Sequence, residues 1–101
     1  MADGHYLIVL TVPPPLEEAV VDWLLDLEAC NGFTAYAVSG HSGSSETLTA
    51  AEQVSARKQQ IRFELHVPAS GVAPALESLR ADFRDTGIHF WTTPLDTHGT
   101  V

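Results

Sequence analysis

Hydrophobic and polar residues repeat with a period of two in one part of the chain and with a period of 3.6 in two others. The clearest alternation lies between positions 56 and 67, where apolar residues alternate with polar ones: Ile61, Phe63, Leu65 and Val67 against Arg62, Glu64 and His66. This pattern predicts a strand that is covered on one face only. The runs 5–12, 33–40 and 88–93 predict three further strands, of which the first is rich in β-branched residues and ends at three prolines.

Two segments carry apolar residues at helical spacing. The first begins near Pro14, since proline is tolerated in a first helical turn, and it presents one apolar face: Leu16, Val20, Trp23, Leu24 and Leu27. Asn31 or Gly32 is expected to end it in a left-handed conformation. The second segment starts near position 70, ends at Gly87 and repeats the pattern with Val72, Leu76, Leu79 and Phe83.

The predicted elements follow the order β-α-β-β-α-β, which is typical of the ferredoxin-like α+β fold. That fold has an antiparallel sheet of strand order 4-1-3-2, with both helices on one face. The other face is then open within one chain and would carry Arg62, Glu64, His66, His89 and Trp91. Because tryptophan is enriched at subunit interfaces, this open face predicts an oligomer. We expect a single domain over 1–94 and a loose tail over 95–101, and we assign no role to His5 or His98.

Composition narrows the class of protein. The 101 residues include 13 Asp and Glu but only 5 Lys and Arg, for a formal charge of −8, which argues against nucleic-acid binding. The single cysteine, Cys30, allows no internal disulfide. No apolar run is long enough to cross a bilayer and no basic leader precedes the first strand, so we expect a cytoplasmic protein without direct membrane insertion.

The segment 41–56 is much longer than the connection that a hairpin needs. Its first half is rich in glycine and serine, and it contributes to a candidate effector-binding loop: Gly40, His41, Ser42, Gly43, Ser44, Ser45 and Glu46. Its second half contains a capping-box spacing at 49–52, which predicts a short helix over about 50–55. A long insertion at this point is typically functional, and a plain flexible connector is the alternative.

Two classes of effector fit the residues around this loop. An anion would be bound by the local basic group Arg57, Lys58 and Arg62, whose alternative role is ion pairing with nearby carboxylates. A transition-metal ion would take His41 as a ligand, joined by Glu46 or, across a subunit boundary, by His66 and His89. The alternative for the last two histidines is hydrogen bonding at an interface.

Catalysis is not expected. Ser42, His41 and Glu46 could supply a nucleophile, a base and an acid by type, but neighbours in one loop cannot be aligned so that the acid orients the base. No nucleophile-elbow motif and no metal-binding helix motif is present in the sequence.

Four stretches of the sequence resemble a small bacterial family of uncharacterised PII-like proteins, related to the PII nitrogen-regulatory and CutA proteins. They are PPLEEAVVDWLL, GFTAYAVSGHSGS, TAAEQVSARKQQIRFEL and LRADFRDTGIHFWTTP, of which VSGH and AEQV are the most specific parts. The resemblance covers roughly 6–94. The stretch FRDTGIHF is shorter than the basic nucleotide-binding loop of true PII proteins and lacks its lysines.

The resemblance implies a homotrimer whose sheets face the threefold axis, with a T-loop projecting between strands two and three. Members of the family are often encoded beside heavy-metal efflux pumps of the resistance-nodulation-division type. It therefore implies a non-enzymatic regulator that senses a metal ion or an anionic metabolite and acts on a partner such as an efflux-pump component. A ligand-free structural adaptor and a CutA-like divalent-cation-binding protein are the alternatives.

Overall fold

The computed structural model of the protein describes residues 4–41 and 58–101. Its strands are β1 (His5–Val12), β2 (Thr34–Gly40), β3 (Lys58–Pro68) and β4 (His89–Leu95). Its helices are α1 (Glu17–Asp26), which follows a 3-10 turn at Pro14–Leu16, and α2 (Ala69–Asp82). The predicted helix over about 50–55 lies outside the described residues.

The four strands form one antiparallel sheet in the order β2-β3-β1-β4, so the predicted ferredoxin-like order is confirmed. The register places Leu10 of β1 opposite Phe63 of β3, and Thr11 opposite Arg62. Since successive side chains point to opposite faces, this register puts the apolar residues of β3 under the helices and its polar residues on the open face, as the alternation predicts.

The hydrophobic core lies between the sheet and the two helices. Its fully buried side chains come from β1, α1 and β3: Phe63, Leu10, Leu24, Val12, Val20 and Val67. Two contacts connect the helical regions on the outer side of the core. The indole Nε1 of Trp23 in α1 donates to the Ser78 hydroxyl of α2 at 2.9 Å, and its ring meets Phe83 edge-on at 6.0 Å.

Both helices end earlier than predicted. α1 stops at Asp26 because Leu27 already has an extended backbone, and neither Asn31 nor Gly32 takes the left-handed conformation expected of it. α2 stops at Asp82, and the turn that follows has two left-handed residues, Asp85 and the predicted Gly87. The helix ends because the backbone of Phe83, with φ −127° and ψ 31°, is no longer helical, two residues before the first left-handed residue.

β4 is longer than predicted, because it runs through Pro94 to Leu95. Proline has no N–H to donate, but β4 is an edge strand that pairs only with β1, where such a residue is tolerated. The predicted tail therefore begins within a strand. Beyond it, the ring of His98 packs 4.0 Å from the ring of His5. In the described ranges, no helix has the length and hydropathy to cross a bilayer.

Candidate functional site

A cleft of about 390 Å³ opens on the open face of the sheet, at the end where β2 finishes and β3 begins. All four strands contribute to its lining, which consists of Thr11, Gly40, His41, Lys58, Gln60, Arg62, His89, Phe90 and Trp91. The volume lies within the range of ordinary small-ligand sites. The register explains the grouping, because Thr11 pairs with Arg62 on one side and with His89 on the other.

Arg62 is held in place by two neighbours on the same face. Its Nε donates to the Thr11 hydroxyl at 3.3 Å, and its guanidinium carbon lies 5.0 Å from the centre of the Trp91 ring. Thr11 is only 5% exposed, so this hydrogen bond satisfies a buried hydroxyl. The stacking is a cation–π contact, which leaves guanidinium N–H donors besides Nε for a ligand.

The carboxylate that follows Arg62 on this face is engaged elsewhere. Glu64 accepts a hydrogen bond of 2.6 Å from the hydroxyl of Tyr36 on β2. This bond, with some burial and the charge of Glu64, raises the pKa of Tyr36 above its usual 10.0, although Arg62 acts in the opposite direction. Both groups are on the open face: Tyr36 is the Cα partner of Arg62 and lies in its row, whereas Glu64 pairs with Thr34 one row further along β3.

The charge in the cleft contrasts with that of the whole protein. The chain carries a formal charge of −8, yet among the described residues the cleft is lined by Lys58, Arg62 and two histidines and by no carboxylate. Clefts lined by one sign of charge concentrate the opposite ion. The cleft is therefore suited to a small anion.

The structure brings five of the predicted site residues together in this cleft: Gly40, His41, Lys58, Arg62 and His89. The remaining residues of the predicted loop, Ser42, Gly43, Ser44, Ser45 and Glu46, lie outside the described residues, as does Arg57. Gly40 is the Cα partner of Lys58 at the end of the β2–β3 ladder. The two described residues that flank 42–57, His41 and Lys58, therefore both line the cleft.

His66 lies away from this cleft within one chain. It is four positions further along β3 than Arg62, or about 13 Å at the usual rise of a strand. Its neighbours are His5 and His98 instead. A metal site that combines His66 with His41 and His89 would need a second chain. This predicted metal site therefore stays a prediction.

Thr11, Gln60 and Trp91 belong to the cleft but were not among the predicted site residues. The strand alternation could have identified all three, because they share the open face with Arg62, where the sequence already placed Trp91. The position of His98 beside His5 could not have been found in this way, because the sequence after Leu95 has no periodic pattern.

Comparisons with known proteins agree on one fold. The family model described as "Protein of unknown function (DUF3240)" matches residues 3–101. The crystal structure of a DUF3240 family protein from Shewanella baltica OS155 is 24% identical, covers 96% of each chain and superposes with a TM-score of 0.78. No curated protein matches the chain.

Two better-described proteins share the fold at lower identity. CPII, a nitrogen regulatory PII-like protein from Thiomonas intermedia K12 bound to ADP, AMP and bicarbonate, is 19% identical over 97% of each chain, with a TM-score of 0.71. The periplasmic divalent cation tolerance protein CutA from Archaeoglobus fulgidus is 12% identical over 93% of this chain and 86% of that one, with a TM-score of 0.69. At such identities the likeness establishes the fold alone.

Proposed function

Because the chain belongs to the DUF3240 family and has the fold of PII-like proteins, we propose that it is a non-enzymatic regulatory protein that senses a small anion. The observation that carries the proposal is the cleft with two cationic side chains, two imidazoles and no carboxylate among its described lining residues, in a protein of charge −8. The anion would bind Lys58 and Arg62 on β3 and His41 at the end of β2, and so contact both ends of the segment 42–57.

The location of the cleft gives a route from binding to regulation. Lys58 directly follows the segment, and His41 directly precedes it. An anion held between them would favour conformations of 42–57 that add contacts of their own, from the serines and backbone amides of 42–45 and from Arg57. Glu46 and the other residues of the segment would then be presented differently to a partner protein.

A homotrimer is the assembly that we propose for this function. The open face carries partly exposed aromatic side chains, Tyr36 at 41% and Trp91 at 45%, and Val9, the Cα partner of Trp91, is buried. Apolar and aromatic surface of this kind, beside a mostly polar rim, is typical of an interface. Light scattering at micromolar concentration should then give three times the chain mass of 10.9 kDa. A monomer at that concentration would contradict the trimer.

Calorimetric titration of the full chain tests the anion proposal. The probes are ADP, AMP, bicarbonate and inorganic phosphate, of which the first three are bound by the CPII relative. We expect at least one to bind, with an affinity that falls as salt is added. Lys58→Gln should weaken that affinity at least about tenfold, since a charged hydrogen bond contributes ~1.5–3 kcal/mol.

Arg84→Gln is the matched control, because it removes the same charge from the exposed turn after α2. The affinity of this variant for the anion should remain within about twofold of the affinity of the unmodified protein. Equal weakening by both substitutions would indicate non-specific attraction and would refute the site. No binding of any probe would favour a ligand-free structural adaptor.

Hydrogen exchange tests the response of the segment. If binding orders 42–57, its amides should exchange more slowly when the anion is present, whereas those of α2 should not change. We place the protein in the cytoplasm, and the partner that we propose, on the strength of the family resemblance, is a component of a membrane heavy-metal efflux pump. Co-purification of such a component that depends on the anion would support this assignment.

A further inference from the structure

Three of the five histidines meet at the opposite end of the open face from the cleft. The ring centres of His5 and His98 are 4.0 Å apart, those of His66 and His98 are 5.5 Å apart, and those of His5 and His66 are 5.8 Å apart. On β1, His5 is six positions from Thr11, or about 20 Å along the strand. The group is therefore separate from the anion cleft.

The sheet register explains how the three rings come together. His5 pairs with Pro68, so His66 is its diagonal neighbour on the same face of the β1–β3 ladder, within reach of a long side chain. His5 also pairs with Leu95 at the end of β4. The chain then needs only three residues to bring His98 over the same position. The two strand positions and the end of the chain thus converge for structural reasons.

One ring nitrogen in this group lacks the hydrogen bond that burial demands. In the described part of the chain, Nδ1 of His5 is buried and has no hydrogen-bonding partner. A buried polar nitrogen without a partner is costly, and native structures nearly always satisfy it with protein, water or an ion. A bound cation would satisfy it, because neutral imidazole binds metals through such a nitrogen.

We propose that His5, His66 and His98 bind one divalent late transition-metal ion through their imidazole nitrogens. A metal–nitrogen distance of ~2.0–2.1 Å puts each ring centre about 3.2 Å from the ion, so tetrahedral ligands have ring centres about 5 Å apart. The observed separations of 4.0 to 5.8 Å bracket that value. Imidazole ligands select zinc, copper and nickel over magnesium and calcium.

Binding requires the rings to turn. Over residues 4–41 and 58–101, no group of three or more His, Cys, Asp or Glu side chains could hold a metal ion in the present side-chain conformations. The rings are tilted by 45° to 54° to one another, and His66 and His98 are exposed. Exposed imidazoles rotate about two side-chain bonds on a nanosecond timescale, so His66 and His98 can turn towards His5 when the ion arrives.

The first test uses the unmodified, tag-free chain and follows the imidazole nitrogen signals by NMR while ZnCl₂ is added. We expect one ion per chain and shifts at the three clustered histidines, with His41 and His89 unchanged. Shifts that begin at His41 or His89, or no shift at one equivalent of zinc, would overturn the proposal. MgCl₂ is the matched salt and should leave all five histidines unchanged.

The second test compares affinities by calorimetry. His98→Ala and His66→Ala remove exposed side chains, so both variants should fold, and each should bind zinc at least tenfold more weakly. His89→Ala is the matched control at the other end of the face and should bind within twofold of the unmodified chain. Equal affinities in all four proteins would overturn the site. Affinity should also fall between pH 7.5 and pH 5.5, because zinc must displace protons from the imidazoles.

Discussion

Arg62→Met should destabilise the fold measurably although the residue lies on the open face. Methionine keeps a long unbranched side chain over the sheet but removes the guanidinium. The Thr11 hydroxyl, which is 5% exposed, then loses the Nε donor that lies 3.3 Å away. The stack on Trp91, at 5.0 Å, is lost as well.

The expected magnitude follows from these two contacts. A buried polar group that loses its partner costs ~1–3 kcal/mol, and a cation–π contact at a partly exposed site contributes ~0.5–1 kcal/mol. We therefore expect the free energy of unfolding to fall by about 2 kcal/mol. For a domain of this size, ~4–8 °C of melting temperature is lost per kcal/mol, so the melting temperature should fall by roughly 10 °C.

Urea denaturation at one fixed protein concentration measures this change, because an oligomer's stability depends on concentration. Arg84→Met, in the exposed turn after α2, is the control and should change the free energy of unfolding by less than about 0.5 kcal/mol. A double-mutant cycle with Thr11→Val separates the two contributions. When the hydroxyl is already absent, Arg62→Met should cost about 1 kcal/mol less. Additive effects within about 0.3 kcal/mol would refute the idea that Arg62 supports Thr11.

Two further substitutions test contacts outside the arginine. Glu64→Gln should bring the pKa of Tyr36 down towards 10.0, which tyrosinate absorbance can follow. The control Glu77→Gln on α2 should leave that pKa unchanged. In the unmodified protein the Tyr36–Glu64 bond stabilises the fold up to about pH 10, and this stabilisation is lost as the pH rises through the raised pKa. An unchanged Tyr36 titration in Glu64→Gln would show that the bond is absent in solution. Gly71→Ala should lower the free energy of unfolding by about 1 kcal/mol, despite the better helix propensity of alanine, because the new Cβ would lie 2.8 Å from the Ala29 Cβ. Ala29→Gly should restore most of this loss in the double variant, and a Gly71→Ala protein that is more stable than its parent would contradict the close packing.

The sheet could be predicted because its pattern is carried by the strands themselves. The alternation in β3 fixes which residues face the helices, and pairing with β1 then brings Thr11 and His89 into the Arg62 row. The ends of the helices were harder to predict, because apolar residues beyond a helix can still pack on it. Phe83 continues the helical spacing of α2, yet it is already outside the helix and meets Trp23 edge-on.

The site was only partly accessible from sequence. Basic residues near a long insertion indicated an anion, and the register then added the uncharged residues of the cleft. The histidine cluster could not be predicted, since His98 reaches His5 only after β4 continues through Pro94. A proline is normally taken as the end of a strand, and this one is tolerated because β4 has a free edge.

The two proposed sites share one sheet face but should respond to different ligands independently. About 20 Å of β1 separates the Thr11 end from the His5 end, more than twice the ~8 Å Debye length at physiological salt. Between them lies the Glu64 row, where the carboxylate is bonded to Tyr36. Arg62 and His66 are closer, about 13 Å apart along β3, but this is still longer than the Debye length, so the charge of an anion near Arg62 is largely screened before it reaches His66. Any coupling between the sites would have to pass through movement of β3 or through a neighbouring chain, because a direct electrostatic effect over that distance is too weak.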